Sequence, residues 1–245
     1  MDSLKRAIKY QNIDFVKSVG IFWVVILIVN IASYILNFKF NTGISFGIHD
    51  INLDGMPVVS IAGANILPIF IFFIVYCYEM YYQCFPVAIG FSITRKDFYK
   101  SAIVNNITAA FVFAVMQGIL MKLEVSLIST LSVNPKFDYG IFNTTKDSIV
   151  FIIISLFMVF LTLTSILNLV AALNYKYGVK FWIAVGLIFS FSMVFIGVSV
   201  IGLFEGLLIT RLNYLQLFII IVTMIITYLI GFVIIANTNV KNKVI

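Results

Sequence analysis

Six stretches of about twenty almost wholly apolar residues recur along the chain, at roughly 19–38, 61–82, 102–122, 148–173, 181–204 and 214–236. A bilayer core about 30 Å thick is crossed by about 20 helical residues, so each stretch is long enough to span. Backbone groups in hydrocarbon must bond within the protein, which leaves helices or a closed barrel. The runs are continuous rather than alternating at every second residue, so helices are the reading that fits. Composition agrees: 62% of residues are hydrophobic and 11% charged, far from a soluble domain. The expectation is an all-α polytopic membrane protein, a single transmembrane domain over 1–245 with six transmembrane helices.

An even number of spans returns both termini to one side. Residues 1–18, 83–101, 174–180 and 237–245 together hold 11 Lys and Arg, whereas 39–60, 123–147 with Lys122 at its edge, and 205–213 hold 5. Short cytoplasmic loops carry the positive excess, so both termini are expected in the cytoplasm of a bacterial cell, with outer loops at 39–60, 123–147 and 205–213. The net charge of +6 then reads as a topology signal, and no nucleic-acid partner is expected. The first span is too long for a signal-peptide core and no small-residue cleavage site follows it, so it reads as a retained anchor. Ahead of it, Leu4, Ala7, Ile8, Gln11 and Phe15 form one helical stripe, with Lys5, Arg6, Lys9 and Lys17 opposite and Ile13 out of place. That pattern suits an amphipathic helix lying in the headgroup plane, or else a solvated basic tail.

Enzyme chemistry finds no footing. The single histidine, His49, falls in an outer loop, no His/Cys/Asp/Glu set has metal-ligand spacing, and the absence of any Gly-Lys pair excludes a P-loop. Cys77 and Cys84, about 10 Å apart along a helix, read as packing residues. No charge is expected near the centre of a span. Glu79 comes closest, a turn from the cytoplasmic end of span two among tyrosines, either as an interfacial residue or as part of a gating pair. Pro68 removes a backbone bond from the same helix and is expected to kink it, with Asn65 placed to occupy freed polar groups. The remaining intramembrane polar residues are uncharged, Asn30, Asn65, Asn105, Asn106, Gln117 and Asn168 foremost. Such side chains either bond helix to helix or line a neutral path, whose cargo would then be amphipathic or apolar.

One segment departs from this pattern. "FPVAIGFSITRKDFYKS", residues 85–101, sets Arg95, Lys96, Asp97 and Lys100 between two apolar runs. Burying four charges would cost roughly 12 kcal/mol even on the lenient insertion scale, so the segment stays outside the hydrocarbon. Thr94 is placed to cap a helix through the backbone N–H of Asp97, whose carboxylate suits the positive end of the helix dipole. A short cytoplasmic helix presenting Arg95, Lys96, Phe98 and Tyr99 is the expectation, with Gly90 as the sharp exit from span two.

Six spans in about 250 residues and this Gly-x-x-x-Thr-Arg-Lys-Asp-Phe turn resemble the permease subunits of type-2 ABC exporters, in particular the small Gram-positive permeases of bacteriocin or lantibiotic immunity and amphipathic-peptide export. The resemblance implies that segment 86–101 is the coupling helix, with Gly90, Thr94, Arg95, Lys96, Asp97, Phe98 and Tyr99 as the contact to a separate cytosolic ATPase. It further implies a second permease copy or homologous permease in the bilayer, and ATP and Mg bound by the ATPase subunits rather than by this chain. The Ala-Lys pair common after such turns is replaced by "YKSAI". A non-transporting membrane scaffold or sensor partner, a six-span channel or an unrecognised intramembrane enzyme are the alternatives.

Overall fold

The computed structural model describes residues 3–36, 48–51, 57–129, 137–188, 190 and 213–238. Among the described residues, five helical stretches are long and apolar enough to cross a membrane. The expected fifth span, 181–204, is described over α7, Val179–Ile188, and at residue 190; its remainder and "GLFEG" at 202–206 lie outside the described residues.

Helix α1 runs from Ser3 to Tyr34, so the helix expected in the headgroup plane is continuous with the first span. The stripe itself is where the sequence put it: Ala7, Gln11 and Phe15 are buried and the basic face is exposed. Its partner is protein rather than lipid, because the stripe packs on the helices Arg95–Ser129 and Ile66–Glu79, where the Gln11 side chain accepts from Asn105 (2.7 Å) and Phe15 meets Tyr76. Two short antiparallel strands follow, β1 (Ile48–Ile51) and β2 (Pro57–Ser60), and with an isolated bridge between Asp138 and Asn143 they are the departures from helical architecture among the described residues.

The second span is segmented. It comprises α2 (Ile61–Ala64), α3 (Ile66–Glu79), a π-helical segment (Met80–Cys84) and α4 (Phe85–Gly90). Pro68 sits in the first turn of α3, where its missing N–H costs nothing, and the break lies three residues earlier at Asn65. Pro86 does not close the span but enters α4; just ahead of it the Phe85 N–H reaches five residues back to the Met80 carbonyl, the wide turn that accommodates an imino acid within a helix.

Helix α5 (Arg95–Ser129) is the centre of the bundle, in contact with α1, α6 (Ile149–Tyr177) and α8 (Tyr214–Ala236). Its inner face is rich in small residues, Ala102, Ala109, Ala110, Ala114 and Gly118, which lets neighbouring backbones approach. A Cβ on Gly118 would lie 2.9 Å from the Ile153 side chain, so α6 packs where only glycine leaves room. Rings of Phe22, Trp23, Phe72, Phe73 and Phe113 fill the middle of the bundle, with centroids 4.9 to 5.3 Å apart around Phe113.

Of the amides in the apolar helices, Asn105, Gln117 and Asn168 join one helix to another. Asn168 on α6 accepts from Tyr81 (2.8 Å) and donates to Tyr99 (3.2 Å), and Tyr99 donates to the Tyr228 carbonyl of α8 (3.0 Å), so one chain of bonds crosses three helices and the π-helical segment. Gln117 donates to the Ala62 carbonyl (2.7 Å). Asn65 and Asn106 are also buried, each with an amide nitrogen that has no partner among the described residues.

Candidate functional site

At one end of the bundle, α4 turns into α5 through a tight reversal. The N–H of Ser92 bonds the Ile89 carbonyl and that of Ile93 the Ala88 carbonyl (3.0 and 3.1 Å), with Ser92 in the left-handed region at φ 58°. This paired-bond helix stop normally recruits glycine at its left-handed position. Gly90, the expected exit, instead ends α4 two residues earlier with open space around it, so Ser92 makes the turn. Burial of Ile93 over Ala88 supplies the apolar contact that accompanies such stops.

Thr94 then caps α5: its hydroxyl accepts from the Asp97 N–H at 3.1 Å, as the spacing predicts. The Asp97 carboxylate also accepts from the Ser3 hydroxyl, which clasps the start of α1 to the start of α5. Tyr10 of α1 meets Phe91 edge-on at 6.4 Å on the other side of the turn.

Two expectations for this segment need correction. There is no separate short helix: residues 95–101 are the first turns of the 35-residue α5. Nor are Phe98 and Tyr99 presented outward, since both are fully buried. Phe98 packs on Phe85 (5.0 Å) and Tyr81 (6.3 Å), and Tyr99 inserts toward α8 so closely that a Cβ on Gly231 would collide with its hydroxyl. The reason is helical rotation. Once α5 continues into the bundle, its inner stripe extends back through 102 to 98 and 99, leaving Lys96 and Lys100 exposed, Arg95 half-buried, and Phe91 64% exposed on the turn.

Among the described residues, Lys5, Arg6, Lys9, Lys17, Arg95, Lys96, Lys100, Lys176 and Lys180 lie toward this end, against Lys122 and Lys146 toward the other. Glu79 is exposed here, at the junction of α3 and the π-helical segment.

The opposite end holds a charge that the apolar runs concealed. Helix α5 continues seven residues past 122, so the stretch expected to begin an outer loop is helical through Ser129 and carries Glu124 inward, only 3% exposed. Its Oε1 accepts from the backbone N–H groups of Ile61 (2.5 Å) and Ala62 (2.9 Å) and from the Tyr34 hydroxyl (3.1 Å); Oε2 accepts from the Ser60 hydroxyl (2.7 Å). A helix start leaves its first N–H groups without partners, and a carboxylate there is favoured by both hydrogen bonding and dipole. Ser60 Oγ takes the next one, from Gly63 (2.7 Å), and a further donation from the Tyr139 hydroxyl (2.5 Å). One buried cluster thus ties α1, β2, α2, α5 and the 137–148 segment together. Lys122, two residues earlier, fastens that same segment by donating to the carbonyls of Thr144 (2.6 Å) and Asp147 (3.0 Å).

Glu124 was findable. It stands seven residues after Gln117, two helical turns along the face that carries Asn106, Ala110 and Phe113, so extending that stripe past Lys122 lands on it.

No family model, curated protein or solved structure matches the chain.

Proposed function

We propose that this chain is the membrane-spanning permease subunit of an ATP-driven exporter of the type-2 ABC class, with the basic end in the cytoplasm. Cytosolic ATPase subunits and a second permease, identical or homologous, would complete it. The observation that carries the reading is the Thr94-capped turn: its exposed cations Lys96 and Lys100 begin a continuous helix whose far end holds Glu124. A push on the turn would act on the whole of α5, and through Asp97 and Ser3 on α1 as well. Charge on the docking face comes from Arg95, Lys96 and Lys100, with Phe91 as the apolar contact in place of the inward-turned Phe98. Exposed aromatic and arginine residues are the types in which interfaces concentrate binding energy.

Movement of α5 would strain the Glu124 bonds that hold α2 and the 137–148 segment, linking ATP-driven closure to opening at the outer face. A lateral groove between α3 and α6, lined by Leu67, Phe70, Val159 and Leu163 among others, is almost wholly apolar, which suits an amphipathic or hydrophobic cargo such as a membrane-active peptide.

The test uses the permease reconstituted with its co-purifying ATPase. A double variant Arg95→Ala/Lys96→Ala and a scramble of positions 91, 95, 96 and 100 that keeps net charge and leaves Ser92 in place should insert normally, yet lose about tenfold of permease-stimulated ATP hydrolysis, equivalent to about 1.4 kcal/mol of contact energy. Full stimulation by the scramble would sink the coupling role. Orientation is read separately: an impermeant thiol reagent applied to intact cells should label Lys146→Cys and leave Lys96→Cys protected.

A further inference from the structure

Between α1 and the junction of α3 with the π-helical segment lies a cavity of about 130 Å³, on the same end of the bundle as the basic turn. Its polar lining is Gln11, Ser18, Tyr76 and Glu79, and Phe15 and Phe72 contribute aromatic wall. Gln11 is 5% exposed and Tyr76 9%. The Gln11 carbonyl oxygen is taken by Asn105, but its amide nitrogen and the Tyr76 hydroxyl have no partner among the described residues. Buried donors left unmatched are costly, and both belong to side chains of residues that line this space. They call for an acceptor, and an anionic oxygen is the strongest available. At the rim stands the exposed carboxylate of Glu79, which calls for a cation. Aromatic faces close by, with Phe15 and Phe72 at 5.2 and 6.2 Å from the Tyr76 ring, also favour an ammonium.

A ligand that answers both demands carries a negative oxygen and a positive nitrogen a few bonds apart. We propose that this cavity binds an aminoalkyl phosphate headgroup, its phosphate oxygens accepting from Gln11, Tyr76 and Ser18 and its ammonium facing Glu79. The surroundings suit a lipid bearing that group: Ile13, Val16 and Val75 are exposed apolar residues on the flanking helices, and Lys17 is exposed beside Ser18. The same headgroup could come from a phosphatidylethanolamine of the adjoining leaflet or from free phosphoethanolamine. Nothing in this site depends on the exporter reading, so either can fail without the other.

Native mass spectrometry on the full-length, delipidated protein tests it, with phosphatidylethanolamine and phosphatidylglycerol of matched chains as probes and soluble phosphoethanolamine as a third arm. The ethanolamine lipid should be retained about tenfold more strongly than the glycerol lipid, and Glu79→Gln, at an exposed position, should abolish that preference. Tyr76→Phe should weaken retention of the headgroup while leaving the lipid-free melting temperature equal or higher, because it deletes an unmatched hydroxyl. Retention of the lipid alone identifies the leaflet as the source; saturable binding of the soluble compound that Glu79→Gln removes identifies the solute. Equal retention of both lipids with no binding of the soluble headgroup overturns the proposal, as does a preference that survives Glu79→Gln in a normally melting variant.

Discussion

The two ends of α5 treat their charges in opposite ways. At the Glu124 end the carboxylate receives four hydrogen bonds and the Lys122 ammonium is committed to two carbonyls. At the Thr94 end the aromatic rings are consumed by packing, Phe98 against Phe85 and Tyr99 against Phe232, while Lys96 and Lys100 remain in solvent. Charge that is satisfied internally specifies a shape, whereas charge left outside is available to another body. One helix therefore has a locked end and an addressable end.

Substitutions should separate the two. The largest loss is expected from Phe98→Ala, about 3–5 kcal/mol, since it empties a fully buried ring site among aromatic neighbours. Unfolding in detergent measures it, and a loss under about 1 kcal/mol would mean the ring does not hold α4 to α5. Glu124→Ala follows at about 3 kcal/mol, because Tyr34, Ser60 and two backbone donors lose their acceptor together. Glu124→Gln retains an acceptor oxygen and should cost less. Next comes Gly231→Ala, about 1–3 kcal/mol, through the clash with Tyr99, and Tyr99→Phe in the same background should recover part of it. Smallest is Lys96→Ala, within about 0.5 kcal/mol, as for an ordinary surface position. Should Glu124→Ala prove as mild as Lys96→Ala, the contrast between the ends would collapse.

Much of this was legible beforehand, and the failures have physical causes. Long apolar runs mark where long apolar helices lie, and Thr94 with Asp97 marks where one begins, because both signals are local. Rotation about a helix axis is not local. Phe98 and Tyr99 look like an exposed aromatic pair only if the helix stops at 101; its continuation to Ser129 fixes them inward. The same oversight hid Glu124, where two charges within three residues, Lys122 and Glu124, resemble a loop until their partners are known. At the amino end the stripe through Ala7, Gln11 and Phe15 was evident, but amphipathicity alone does not distinguish a lipid surface from a protein groove. The intramembrane amides divide as well: Asn105, Gln117 and Asn168 bond between helices, a role that depends on neighbours brought together from distant parts of the chain.

The wide turn at Met80–Cys84 bears on how this chain can change over time. A π-type turn holds one more residue than the α-helical turn it replaces, so the helices on either side keep their facing while the sequence count between them slips by one. Buried positions accordingly step five residues across the turn, from Met80 to Phe85, and then three to Ala88 without losing the core. A one-residue deletion inside α5 has no such reserve: it would turn everything beyond it by about 100° and carry Glu124 off the face that meets α2. Length variation in this molecule is therefore expected to be absorbed in the 80–84 turn and refused in the helix beside it.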